Sequence, residues 1–186
     1  MNLVVNGDAE SGPGGTAEPV NSVPGWSIEE GAPALIRYDL GGGYPTPSDP
    51  GPPQRGSRFF GGGNSPRTAL VQDIELPGRR AVDAGKVRFT ATGWLGGYAG
   101  QQDGARLSVE FRDGKGTPVA LAVLGPVTAG ERGNRTGFVK RTARAAVPPG
   151  ARTARVLLVF TRTSGTSNDG YADGISLTLT AAGGPA

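Results

Sequence analysis

From Arg106 to Arg112 the side chains alternate without a break. Leu107, Val109 and Phe111 are apolar, while Arg106, Ser108, Glu110 and Arg112 are polar. A period of two places one set on each face of an extended strand, one against a core and the other toward water. The same period recurs along the chain in short runs parted by Gly, Pro, Asn and Asp, the residues that make turns. It predicts strands over residues 2–6, 34–39, 57–62, 69–76, 86–95, 105–113, 118–125, 138–147, 154–163 and 174–180. The run from Val156 to Phe160 is apolar at every position, as a central strand covered on both faces would be. No window carries a capped amphipathic helix.

Many short strands with turn signals between them predict an all-β chain of two packed antiparallel sheets, a β-sandwich or jelly roll. The stretch "RDGKG", residues 112–116, has the Asp-Gly signature of a tight hairpin. Residues 41–56, rich in Gly and Pro, form the longest irregular segment, and residues 125–137 are expected to cross between sheets. A chain of 186 residues suffices for one domain, expected over residues 1–180 with a frayed tail at 181–186.

Composition removes several chemistries. With neither cysteine nor histidine there is no thiolate, no imidazole base and no imidazole-bound zinc. No apolar stretch approaches the roughly 20 residues of a membrane helix, so no membrane insertion is expected. The net charge of +3 gives no overall nucleic-acid footprint. A basic stretch, Arg132, Arg135, Lys140, Arg141, Arg144, Arg152 and Arg155, could attract an acidic glycan such as a uronate polymer, or nucleic acid. Strand alternation divides it between faces, and it is read as a solvated sheet surface. The residues after Met1 lack the charged start and apolar core of a secretory leader.

Sugar recognition needs an aromatic face to stack a pyranose and planar polar groups to take its hydroxyls. The stretch "WLGGYAGQQD" supplies Trp94, Tyr98, Gln101, Gln102 and Asp103 within one strand end and its loop. Tyr44 in the long loop and Tyr171 are further candidates. Trp94 and Trp26 are read first as core, because tryptophan in a sandwich is more often packed than presented. Near the end, Asp169 and Asp173 flank Tyr171 in "NDGYADG". Paired carboxylates of glycoside hydrolases are normally presented from separate strands over a cleft. The pair is therefore read as non-catalytic, with Asp169 a turn residue, and no catalytic residue is assigned.

Three segments in order carry a family likeness: "NLVVNGDAESG" followed by "VPGW", then "GSRFFGGG" with "ALVQDIEL", and last "NDGYADGISLTL". "GWLGGYAGQQDGARLSVEFRD" fits beside them. Together they resemble galactose-binding-like jelly-roll domains, which include several carbohydrate-binding modules, and in particular a bacterial branch related to F-box-associated sugar-binding domains. The resemblance implies a β-sandwich of nine to ten strands with its first and last strands side by side. In many such domains a calcium ion staples those strands, and Glu10 and Asp173 match its carboxylate positions. Asp8 is a further candidate ligand; Gly174 stands where relatives often carry a second acidic or amide residue. Without the ion, Asp8 would form an Asx turn, Glu10 would pair with an arginine and Asp173 would cap the strand entry.

The resemblance implies a non-catalytic, extracellular module that binds a glycan or a cell-surface polysaccharide, with structural calcium. Two other functions stay open at this point. One is a structural or protein-contact module without sugar affinity; the other is a polysaccharide lyase or hydrolase on the same fold.

Overall fold

The alternating runs form the strands of a two-sheet sandwich in the computed structural model, which describes residues 1–183. In chain order these are β1 (Ser27–Glu30), β2 (Ala34–Arg37), β3 (Arg58–Gly61), β4 (Arg67–Glu75), β5 (Val87–Gly97), β6 (Gly104–Asp113), β7 (Pro118–Leu124), β8 (Gly137–Ala146), β9 (Ala151–Thr161) and β10 (Gly170–Ala181). A five-residue helix, α1 (Arg79–Asp83), joins β4 to β5. One sheet has the order β1-β4-β9-β6-β7 and the other β2-β3-β10-β5-β8, with every pairing antiparallel. The connection from β7 to β8 crosses between sheets, as its length and composition predict. Of the expected tail, Ala181 still closes β10, and residues 184–186 lie outside the described residues.

Alternation sets the core. Leu107, Val109 and Phe111 of β6 are buried, and Val156, Leu158 and Phe160 of β9 lie beside them. Against them pack Phe89, Ala91 and Leu95 of β5 and Ile175 and Leu177 of β10. Phe89 meets Phe111 across the two sheets with ring centroids 4.8 Å apart. Strand β9 is central in its sheet, which accounts for its apolar run.

Two departures from the sequence reading share a cause. Residues 2–6 lie beside the last strand but form turns rather than a strand. Leu3 N–H donates to Leu177 O (2.8 Å), Leu177 N–H to Asn2 Oδ1 (2.9 Å) and Ile175 N–H to Gly7 O (2.8 Å). A side-chain acceptor has taken the place of a ladder carbonyl, so pairing is partial. Strand β1, "SIEE", escapes sequence reading because only Ile28 turns inward and the rest of this edge strand is polar. Gln72 of β4 ties both irregular pieces down. Its Oε1 accepts Val5 N–H (2.8 Å), and its Nε2 donates to Val5 O (3.1 Å) and Gly25 O (2.7 Å).

The second sheet carries apolar residues on its outer face as well. Ala34, Ile36, Phe59, Phe138 and Tyr171, with Tyr38 just beyond β2, make a second buried cluster. Tyr44 and Trp94 pack against it from the side. Residues 41–56 lie across this cluster. Phe138 N–H donates to Pro50 O (2.8 Å), and Arg55 holds the segment in shape through Thr46 O, Asp49 O and Pro52 O while its guanidinium sits 5.1 Å from the Tyr38 ring centre.

Replacing Gln72 by Ala strands three backbone groups of the N-terminal segment and the turn before β1. The expected cost is about 2–3 kcal/mol, read as a lowered midpoint in urea unfolding.

Candidate functional site

At one end of the sandwich, the loop after β5 carries Tyr98 outward, with 37% of its surface exposed. The loop is held from below by a single guanidinium. Arg132 Nη1 donates to Gly97 O (3.1 Å), Ala99 O (2.9 Å) and Arg135 O (2.6 Å), and Nη2 donates to Gln101 O (2.8 Å). A planar group with five fixed donors suits a ring of carbonyls. Burial pushes the Arg132 pKa down from its ordinary value. Sequence reading placed Arg132 in a basic surface stretch, whereas it is an internal brace.

Beside this loop, the chain entering β10 is pinned just as closely. Asn168 N–H donates to Gly63 O (2.7 Å), and Asn168 Nδ2 donates to Ser65 O (3.0 Å). Asp169 N–H donates to Asp103 Oδ2 (3.0 Å). Asp103 Oδ1 meanwhile accepts Thr163 N–H (2.6 Å), Thr163 Oγ1 (2.8 Å) and Ser164 N–H (3.2 Å). These contacts fix the Asp169 side chain at the surface, where Tyr171 Oη donates to its Oδ1 (2.7 Å). Burial raises the Asp169 pKa, the Tyr171 hydrogen bond opposes that rise, and the charge of Asp103 adds to it. Its Oδ2 accepts no hydrogen bond among the described residues.

The two loops meet the long segment 41–56 in a shallow cleft of about 160 Å³ lined by Gly42, Gly43, Tyr44, Tyr98, Ser167, Asp169 and Tyr171. Gly43 sits at φ +91°, and a Cβ there would come within 3.1 Å of the Tyr98 ring. Only glycine allows that backbone to lie so close. Tyr44 meets Tyr171 edge to face, ring centroids 6.1 Å apart. The result is a small basin of phenol rings and hydroxyls around one partly free carboxylate.

Of the residues proposed from sequence, Tyr44, Tyr98 and Tyr171 share this cleft, and Trp94, Gln101, Gln102 and Asp103 stand elsewhere, Gln102 with its Oε1 on Ala129 N–H (3.3 Å). Trp94 lies half-buried on the outer face of β5 against the second cluster. Asp103 is fully buried, with both oxygens engaged, so it shapes the loops and is not available to a ligand. Gln101 turns its Oε1 inward, where no described donor meets it. Asp169, read from sequence as a turn residue, lines the cleft together with Tyr171, a further candidate there. Their alternation with Gly170 was the available signal, since it puts both on the outer side of a strand entry. Trp26 is core, as expected, with Nε1 donating to Asn6 O (3.2 Å).

The carboxylates matched to a calcium site are close enough that Asp8 and Glu10 act electrostatically on Asp173, yet their oxygens are turned to other tasks. Glu10 Oε1 accepts the N–H of Ser57 (2.8 Å) and of Arg58 (2.8 Å), and its Oε2 accepts Ser57 Oγ (2.7 Å). Glu10 thus anchors the start of β3 by backbone contacts rather than pairing with an arginine side chain. Asp173 Oδ2 takes the Tyr38 hydroxyl (2.6 Å) and Oδ1 takes Gly174 N–H (2.6 Å). Asp8 is exposed and accepts Glu10 N–H at 3.4 Å, in the manner of an Asx turn. Among the described residues, no three acidic side chains gather into a group that could hold a metal ion. As placed, these residues do not fit an ion that needs six to eight oxygens around it.

Asp173 is 1% exposed, and burial pushes its pKa up to about 7. The hydrogen bonds from Tyr38 and Gly174 oppose that rise, while Asp8 and Glu10 add to it. Arg55, over the Tyr38 ring, is the cation on the covering loop. A carboxyl raised on folding contributes stability below its unfolded pKa near 3.8, and that contribution is lost as pH climbs toward 7. Asp173→Asn should therefore gain stability relative to the parent as pH rises from 4 to 8, by a few kcal/mol at the upper end, read from paired urea melts in EDTA. An Asp173 that served a bound cation would give the opposite sign in calcium. Arg132→Met leaves four carbonyls without their donor and should lower the melting temperature while releasing the Tyr98 loop to rapid proteolysis.

No protein-family model matches the chain, and no curated protein sequence does. Solved structures share its fold. A family 16 carbohydrate-binding module superposes with a TM-score of 0.59 at 18% identity, covering 95% of this chain and 99% of that one. The enzymatically active domain of tailspike protein 4 of bacteriophage CBA120 gives 0.56 at 17% identity, covering 96% of this chain and 21% of that one. An arabinose-bound α-L-arabinofuranosidase gives 0.53 at 16% identity, covering 96% and 26%. This chain therefore spans about a quarter or less of the latter two. At such identities the likeness is one of architecture alone, and it agrees with the two antiparallel five-stranded sheets above: the chain has the galactose-binding-like β-sandwich fold.

Proposed function

We propose that this chain is a non-catalytic carbohydrate-binding module, acting outside the cell, and that the cleft of Tyr44, Tyr98, Asp169 and Tyr171 is its glycan contact. The observation that carries the reading is the pairing of an exposed phenol ring, Tyr98, with the uncommitted Oδ2 of Asp169 in one cleft. A ring stacks the C–H face of a sugar, and a carboxylate oxygen accepts from its hydroxyls. The loops that present both are braced by buried ionic groups, so little ordering is needed on binding. The family 16 carbohydrate-binding module, whose length this chain matches nearly end to end, supports the same reading.

The lining includes a single acid, whereas glycoside hydrolysis uses two carboxyl groups about 5–9.5 Å apart. That favours binding without cleavage.

A glycan array should give discrete hits. Tyr98→Ala and Asp169→Asn should each weaken them about tenfold or more while the melting curve of Tyr98→Ala stays cooperative and unshifted. An array without signal at high protein concentration would point instead to a structural module, and release of reducing ends would point to an enzyme.

A further inference from the structure

The outer face of the first sheet holds a second, larger cleft, of about 280 Å³, that the tyrosine site does not use. It follows from strand register. Arg67 of β4 and Gly104 of β6 both pair with Thr161 of β9, and one step along, Ala69 and Arg106 both pair with Val159. Side chains two apart share a face, so Arg67, Thr161, Val159 and Arg106 all look outward. Gly104, which has no side chain, leaves a hollow between the two arginines. The arginine Cα atoms stand on strands two spacings apart and two residues out of step along them, about 12 Å in all, a gap that two extended guanidinium groups can close over one anion.

The charges in this hollow are not balanced. The Arg106 side chain, exposed at the surface, makes no hydrogen bond or ion pair among the described residues. Arg67 pairs with Glu30, and both are well exposed. An exposed pair of that kind is worth about 0–1 kcal/mol, so a competing carboxylate displaces Glu30 at little cost. The other arginines of the same face are already matched: Arg112 with Glu110 (2.6 Å), and Arg155 with Asp73 (2.8 Å) and with Glu29. The basic stretch singled out in the sequence is dispersed too, with Arg132 internal, Arg141 on Glu131 and Arg152 on Asp83.

We infer that this cleft binds the carboxylate of an acidic sugar, a uronate residue in a saccharide chain. Arg67 and Arg106 form the carboxylate fork, since guanidinium matches carboxylate in bidentate fashion. Buried Val159 with Pro126 supplies an apolar wall for the ring's C–H face. Gln102 keeps its amide NH2 uncommitted, its Oε1 being taken by Ala129 N–H (3.3 Å), and so offers a donor to ring hydroxyls. A bare inorganic anion would use the arginines alone. The inference does not depend on the tyrosine cleft, which holds no cation.

The test is calorimetric titration of the whole chain with galacturonate and glucuronate oligomers, with uncharged oligomers of the parent sugars, and with inorganic phosphate. Uronate oligomers should bind, with affinity falling as salt rises. Arg106→Ala should weaken them at least tenfold and Arg67→Ala comparably, with melting temperatures within a degree or two, since both side chains are exposed. Arg144→Ala, on β8 of the other sheet, should leave uronate binding unchanged. The inference is overturned by the absence of uronate binding at millimolar concentration. It is equally overturned by binding that Arg106→Ala leaves intact, or by phosphate and the uncharged oligomers binding as well as the uronates.

Discussion

A β-sheet with apolar residues on both faces cannot leave one of them in water, and that constraint organises this molecule. The sheet β2-β3-β10-β5-β8 buries Leu35, Phe60, Leu95 and Ile175 against its partner sheet and Ile36, Phe59, Phe138 and Tyr171 on its other side. Sixteen residues with no regular structure, 41–56, are committed to covering the second set. Their backbone groups find partners in Arg55, in the Asp49 carboxylate that takes Thr46 N–H, and in Phe138, as a segment lying on a core requires. The covering segment brings Tyr44 and Gly43 to Tyr98, and it closes over Tyr38 and Asp173. The cleft and the buried carboxyl are consequences of one packing demand.

Two buried ionic groups then convert loops into fixed walls. Asp103 binds both ends of the connection from β9 to β10, at Thr163 and at Asp169. Thr163 lines the arginine cleft and Asp169 the tyrosine cleft. Arg132 does the same for the loop of Tyr98. Neither group has an ion-pair partner of opposite charge among the described residues; Asp103 is met by backbone N–H groups and the Thr163 hydroxyl, and Arg132 by four backbone carbonyls, with its Nε left without a partner. Removing either would leave several backbone groups unpaired at once, a larger loss than that of a surface ion pair.

The strand pattern was legible because its physics is local. Period two survives in β6, β8 and the later part of β10, and the apolar run of β9 marked it as central. What the sequence concealed was set by contacts distant along the chain. Residues 2–6 look like a strand, yet Asn2 and Gln72 supply side-chain partners that replace ladder bonds. Trp94 and Tyr98 are four residues apart in one motif, but one faces the second core and the other the tip of a loop. Asp103 and Gln101 carry the right groups for a sugar, and nothing in their neighbourhood says that Thr163, Ser164 and Asp169 will enclose the first. The cleft unites Tyr44, Tyr98 and Asp169 across more than a hundred positions, a proximity that only the fold creates.

Charge was least legible of all. The sequence concentrates cations between Arg132 and Arg155, and electrostatic reasoning from spacing alone points there. Folding spends most of that cluster internally, on carbonyls and on acids brought from Asp73, Asp83, Glu29 and Glu131. Arg67 and Arg106, thirty-nine positions apart and each unremarkable in its strand, face one hollow because β9 runs between their strands and aligns them through Thr161 and Val159. A guanidinium attracts a partner according to what its neighbours leave unsatisfied, so density of arginine along the chain is a poor guide to where an anion settles. In a sheet the better guide is register: which cations share a face across a central strand, and which small residues between them leave room for a ligand.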